Sequence, residues 1–558
     1  MVVDLGGDPK GWEANVFPNI DIFLYGIDRS KPIRFDQMID AKSGQRSQFM
    51  VPLEAKTGLN DFIKDNLDPI GIVAKPVKRG DKTYYQLGDP KLAGNPKNQN
   101  VYDGWMRVAN GYAYISTQES DVPAGIAAPD ASHKLLLDQG YDLAVQLSNA
   151  DTTLDQRQAS FAKFRENTLA GVKKRLNETK EAFALREKNS QQSLETMERV
   201  FVESSELTIG WVTDSEKNEG RGHFGLSAVA GTALETTLKA QAVQPGYFQN
   251  IKSADNAVLS GRLNFTFDDL LKNQFSEIYE LSQPVNHQKI DATEGLTDKQ
   301  KEARKAINDH LFAMLDAGLQ LGGWDGVVEV TPQESGTHNF LFGIRSADGT
   351  KAAEIMALLP DAKQGWNTEL DVDSEGEVKI HKLTITQNYP KALQDFFGKS
   401  GEFFVGTGAN AVWISGGENA LQAMKEGVQA VATSAEKPDP VIARLDLRLL
   451  PVLQVFKGLR DEGVLDLMQK LQSNAPEEEP AKDGDAEKAE KPGSETARML
   501  QDFEWREAAI EALSGSNDKL HMHLERVEDH LEGTTTTAEG LLKMLGVLIA
   551  KFAKENLG

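Results

Sequence analysis

The residues best placed for metal chemistry are His521, His523 and Glu525, two apart in the segment LHMHLE. On a strand they share one face, where two imidazoles and a carboxylate can meet a single metal ion. Leu520, Met522 and Leu524 form the apolar alternate of that strand. This turns the histidines towards water and makes a solvated pair the favoured reading. Asp371, Asp373, Glu375 and Gly376 (DVDSEG) open like a calcium loop, but the twelfth position is Lys382 where a bidentate Glu is required. A solvated hairpin turn is expected there. Gly406-x-Gly408 in FFVGTGANAVW is part of a dinucleotide fingerprint. It lacks the third glycine and runs on as strand where phosphate binding needs a helix N-terminus.

Other chemistries lack their residues. The chain has no phosphate loop, no His-Glu-x-x-His helix and no Gly-x-Ser-x-Gly elbow. The acidic pairs Asp268-Asp269 and Glu528-Asp529 read as helix caps or solvated faces, since glycosidase carboxylates are defined by spatial separation. Trp105, Tyr112, Trp211, Trp324, Trp366 and Trp413 lie near turns. They suit core packing, or the lining of a carbohydrate or peptide groove. No catalytic residue and no cofactor is assigned, and the only metal candidates are His521, His523 and Glu525.

The 558 residues include 84 acidic and 61 basic side chains, a net charge of −23, and no cysteine. Disulfides, cysteine-ligated metals and thiol chemistry are therefore excluded. A pI near 5.0 speaks against nucleic acid or an anionic membrane as the main partner. No segment has the length and apolarity of a membrane span, and the apolar helix from Leu541 is interrupted by Lys543 and Lys551. The first residues lack a secretory signal pattern. The absence of cysteine nevertheless suits an oxidising compartment. An extracytoplasmic location, periplasmic or secreted, is expected if a signal peptide was lost before Met1.

The positioning elements alternate between strands and short helices. Four hairpins are expected: Trp105–Ser116 turning on Asn110-Gly111, Leu207–Val229, Leu370–Leu383 and Phe403–Ser415. Gly231-Thr232, Gly349-Thr350 and Gly533-Thr534 each read as the end of a strand and the start of a helix. Thr232/Glu235 and Thr536/Glu539 have capping-box spacing. Residues 154–204 have helical periodicity and predict either one long helix or a hairpin broken near Gly171 or Asn189-Ser190. Residues 473–495 are acidic, proline-bearing and without large apolar side chains, the composition of a disordered loop.

The expected class is α+β, with two related halves of antiparallel sheet and short amphipathic helices, plus the helical insertion. The first half spans 1–250 and includes 154–204. A strand and helical connector follows at 251–330, and the second half at 331–558 carries the loop 473–495.

FMVPLEAKTGLNDFIKDN from Phe49, LNFTFDDLLKN from Leu263 and the Gly-Thr junctions together resemble large uncharacterised exported proteins of planctomycete-type bacteria. The resemblance implies a mature extracytoplasmic domain, and it brings no activity or site residues. The expected function is a non-enzymatic binding or scaffold protein, with a protein or cell-envelope polymer as partner and neither nucleic acid nor a membrane span. The alternative is a hydrolase whose site assembles from dispersed Asp, Glu and His in a cleft between the halves. A third possibility is a carrier clamp for an apolar ligand, which predicts a large dry cavity under one sheet.

Overall fold

The computed structural model describes residues 26–28, 31, 33–40, 44–55, 58–68, 72–88, 102–117, 119–122, 140–149, 152–176, 178–432, 437–464 and 503–557. The acidic segment 473–495 and the first 25 residues lie outside them. The protein is α+β, built on two antiparallel sheets. It forms two compact units, Met1–Tyr141 with Asp155–Lys163, and Asp142–Leu154 with Phe164–Gly558.

The first unit holds a six-stranded sheet in the order β1-β2-β6-β5-β4-β3. Its strands are β1 (Arg34–Asp40), β2 (Gly44–Pro52), β3 (Val73–Arg79), β4 (Lys82–Gly88), β5 (Tyr102–Ala109) and β6 (Tyr112–Ser116). Asn110 and Gly111 both have positive φ (52° and 77°), as a two-residue hairpin turn between β5 and β6 demands. Helix α1 (Gly58–Phe62) and the π-turn after it place Phe62 and Leu67 in a core with Val51, Leu87 and Met106. Tyr84, Tyr112 and Tyr114 belong to a separate core cluster with Met50 and Val122.

The second unit carries a thirteen-stranded sheet in the order β13-β14-β15-β16-β12-β11-β10-β17-β18-β19-β9-β8-β7. The strands are β7 (Leu143–Ser148), β8 (Ser204–Asp214), β9 (Glu219–Ala228), β10 (Leu259–Thr266), β11 (Gly323–Pro332), β12 (His338–Arg345) and β13 (Trp366–Glu375). They continue with β14 (Val378–Ile385), β15 (Glu402–Thr407), β16 (Ala411–Gly417), β17 (Val441–Arg448), β18 (Lys519–Val527) and β19 (His530–Thr537). The helices are α2 (Leu154–Ala170), shared between the two units, α3 (Lys180–Glu203), α4 (Ala233–Ala240), α5 (Asp269–Ala292), α6 (Asp298–Gln320) and α7 (Lys351–Ala362). After them come α8 (Lys391–Phe397), α9 (Ala420–Ala432), α10 (Leu449–Asp461), α11 (Phe503–Leu513) and α12 (Glu539–Leu557).

This order is a palindrome. The described elements from β8 through β9, α4, β10, α5, α6, β11 and β12 to α7 recur in the same order from β15 through β16, α9, β17, α10, α11, β18 and β19 to α12. In the sheet each element of one set mirrors its counterpart about the β10–β17 pair. Helix contacts follow suit: α3 packs on α5 as α8 packs on α10, and α6 on α7 as α11 on α12. At the centre GRLN (261–264) faces ARLD (443–446), with Arg262 directly opposite Arg444.

These bounds differ from the sequence reading, which ended a half at 250 and treated 251–330 as a connector. β10 and β11 are instead central strands, because each hydrogen-bonds to a neighbour on both sides. The compact units meet at Tyr141/Asp142.

Local chemistry sets the element ends. Residues 154–204 break at Gly171, while Asn189-Ser190 continues through α3, whose N-cap Thr179 accepts from Ala182 N–H. Thr297 and Gln300 form a full capping box on α6. Thr232 caps α4, but Glu235 reaches back to the Gly231 N–H rather than to the cap residue's own. Gly349-Thr350 precedes α7 without a side-chain cap. Gly533-Thr534 corrects its expectation: both lie inside β19, bonded to β18 and β9, and the helix starts at Glu539. The run Thr534–Thr537 is β-branched, and pairing on both sides holds it extended.

Candidate functional site

The sheet of the second unit has an open apolar face over its last six strands. Its register aligns two rows of side chains across β7, β8, β9, β19, β18 and β17. One row reads Leu143, Trp211, Gly222, Thr535, Met522, Leu445, and the next reads Val145, Ile209, Phe224, Gly533, Leu524, Ala443. Together with Gly210, His223, Thr534, His523 and Arg444 of the row between them, they line a trough of about 700 Å³. None of the twelve side chains is titratable.

Its boundaries follow from the neighbouring rows. On one side Leu207, Leu226 and Leu531 are covered by Leu234 and Leu238 of α4. On the other, the Trp211 ring lies so close over Gly220 that a Cβ there would fall 2.2 Å from it, while its indole N–H donates to Thr213 (3.1 Å). Gly222 and Gly533 deepen the floor between them.

Between these walls large apolar side chains stay in contact with water: Leu143 is 68% exposed, Val145 62%, Ile209 51% and Met522 43%. A sheet normally buries such a face. A contiguous exposed apolar strip therefore marks a place where something else binds.

The alternate positions on the same strands are mostly polar; His521 lies outside the trough, while His523 belongs to the row between the two apolar ones and borders it. His521 Nδ1 lies 2.9 Å from Asp446 Oδ1, whereas His523 Nε2 lies 3.4 Å from Glu525 Oε2. The two rings are 6.4 Å apart and face different carboxylates. Among the described residues no group of three or more His, Asp or Glu is arranged to hold a metal ion. Burial works against the charge on Asp446, but hydrogen bonds from His521 and Arg444 outweigh it and hold the carboxyl below its ordinary value.

The other sequence candidates take structural roles. Asp371 pairs with Lys379 (3.1 Å) and Asp373 with Lys425 (2.6 Å), so cations of the chain already answer the DVDSEG carboxylates. Gly406 and Gly408 sit at the β15–β16 hairpin, where Gly408 N–H donates to Ala411 O (3.1 Å). Asp268 caps α5 through the Leu271 N–H. Trp413 is fully buried with Phe248 and with Met424 of α9. Of the aromatic residues singled out, Trp211 is the one in the trough.

Two buried acids lie on β11, on the face away from the trough. Burial pushes the Glu329 carboxyl up to about 7, against the Ser260 hydroxyl that donates to it at 2.5 Å. Burial also raises Asp325, which accepts from the Tyr247 N–H.

No family model, curated protein or solved structure matches the chain. No helix among the described residues is long and apolar enough to cross a membrane.

Proposed function

We propose that the protein is a non-catalytic binding protein that carries an elongated, uncharged apolar ligand in the trough. The observation that carries this reading is the pair of rows without a charge, in which Leu143, Val145 and Ile209 remain more than half exposed. The rows themselves offer apolar contact and one hydroxyl, Thr535, while His223, His523 and Arg444 border the trough from the row between them.

Dimensions select the occupant. Six strands span about 24 Å, and two rows along a strand occupy about 7 Å. An α-helix, about 10–12 Å across, does not seat in so narrow a strip. A hydrocarbon chain does, and the strip exceeds the ~15 Å that one chain covers in half of a ~30 Å bilayer core. A volume of about 700 Å³ falls among small-molecule sites. An acyl chain or similar linear hydrocarbon is therefore the ligand class. The absence of cysteine supports carriage outside the cytoplasm, with the cell envelope as the setting.

The test is titration with a fluorescent long-chain fatty alcohol. Saturable binding is expected, weakened at least tenfold by Ile209→Asp and by Val145→Arg. Both residues are more than half exposed, so the fold should tolerate the changes. Binding unchanged in both variants would refute the trough as the site.

A further inference from the structure

We propose that the turn at Leu176, between α2 and α3, is a docking point for an anionic lipid bilayer. This rests on observations separate from the trough. Leu176 is 91% exposed, the highest value among the exposed large apolar residues. It directly follows Lys173, Lys174 and Arg175, all exposed. None of these three cations forms an ion pair with a carboxylate among the described residues.

The exposed leucine is held out by a built turn. Arg186 grips Glu178 through two nitrogens, each at 2.8 Å, and donates from Nη2 to the Lys173 carbonyl at 2.8 Å. Glu178 in turn accepts from the Arg175 N–H (2.9 Å), and the Glu178 N–H closes the turn on the Arg175 carbonyl (3.3 Å). One guanidinium thus ties both limbs of the loop and leaves Leu176 91% exposed. An apolar tip ringed by cations is what a protein inserts among anionic headgroups.

Net charge does not veto this. The −23 of the whole chain had argued against an anionic membrane, but charge acts over about 8–10 Å in physiological salt. The loop lies at the N-terminal end of α3, a 24-residue helix about 36 Å long whose other end runs into β8. At that distance from the sheet the loop presents its own charge. In it Lys173, Lys174, Arg175 and Lys180 outnumber the neighbouring Glu178 and Glu181, whose carboxyls Arg175 and Lys174 help hold low. Basic patches alone also suit polyanions such as nucleic acid. The exposed leucine favours a bilayer, where it gains burial.

The experiment is flotation of the full chain with phosphatidylcholine vesicles, with and without 30% phosphatidylglycerol, at low and high salt. Binding is expected only with phosphatidylglycerol, reduced at high salt. It should fall at least tenfold in the triple variant Lys173→Ala/Lys174→Ala/Arg175→Ala and several-fold in Leu176→Asp. All four side chains are exposed, and circular dichroism checks that each variant is folded. Val145→Arg should keep vesicle binding while losing the fatty alcohol, so the trough and the turn fail independently. Equal binding to both vesicle types, no binding at low salt, or a triple variant that binds like the parent would overturn the proposal. So would heparin binding that vanishes in the triple variant while Leu176→Asp floats like the parent, since the partner would then be a polyanion.

Discussion

Arg262 and Arg444 stand directly opposite one another across the β10–β17 pair, at the centre of the thirteen-stranded sheet. Like charges in that relation repel, and the chain relieves them differently. Arg262 pairs with Asp439 and donates to the Gln249 carbonyl, which ties two loops over the sheet. Arg444 pairs with Asp446 along its own strand (2.9 Å). The positions are related by the palindrome, but their surroundings are not.

That asymmetry predicts unequal costs. The Arg262 side chain is 18% exposed and Arg444 is 44% exposed. Arg262→Met should destabilise the second unit by roughly 2–4 kcal/mol, since it strands Asp439 beneath the loops. Arg444→Met should cost less, about 1 kcal/mol, because Arg444 itself is largely in water and the buried Asp446 keeps His521 as a partner at 2.9 Å. Urea denaturation of both variants measures the difference, and equal costs would contradict the assignment.

Glu329 predicts a pH dependence. Its carboxyl rises from 4.5 to about 7 on folding. Below pH 4.5 the folded and unfolded states are both protonated and the residue contributes nothing. Between 4.5 and 7 the unfolded chain releases its proton while the native state keeps it, so stability declines as pH rises. Above 7 the loss is complete, on the order of 3 kcal/mol. Asp325, raised by burial, acts in the same direction. Glu329→Gln should flatten most of this decline and leave the variant more stable than the parent at pH 8. Thermal melts from pH 4 to 8 give the comparison; parallel curves would show that Glu329 is not the source.

Arg186 predicts protection of the loop it ties. Glu178 sits at about 2, well below its usual range, chiefly because of the hydrogen bonds from Arg186. Arg186→Ala should free both limbs and raise the rate of tryptic cleavage after Lys173, Lys174 and Arg175 severalfold, with little change in the global melting temperature. Mass spectrometry of early fragments locates the cuts. Cleavage at the parental rate would mean that the turn holds without the guanidinium.

Much of the local structure was legible in the residues. Asn110-Gly111 required positive φ and so announced a hairpin, as did the polar turns of the other three. Gly171, one of the two expected breaks, ended α2, whereas the Thr297–Gln300 capping box of α6 was not anticipated. Gly533-Thr534 was misread because a Gly-Thr pair has the same local chemistry at a helix start and in mid-strand. Pairing on both sides decides between them, with β18 across a hairpin and with β9, distant in sequence. His521 and His523 were correctly placed on the face opposite Leu520, Met522 and Leu524, but nothing local said that the apolar face would be left open.

The sequence by itself determined the α+β class, the hairpins, the helix caps and the absence of thiol chemistry, because each depends on residues within a few positions of one another. Only the tertiary structure decided the trough. Leu143, Trp211, Met522 and Leu445 come from strands scattered along the chain, and their common row exists only through sheet register. The same holds for Arg262 and Arg444, whose opposition requires two strands 182 positions apart to pair. Whether an apolar row is core or binding surface depends on what lies over it: the cluster under α4 buries Leu226 and Leu531 and reaches Phe224 and Leu524, while Leu143, Val145, Ile209 and Met522 stay exposed.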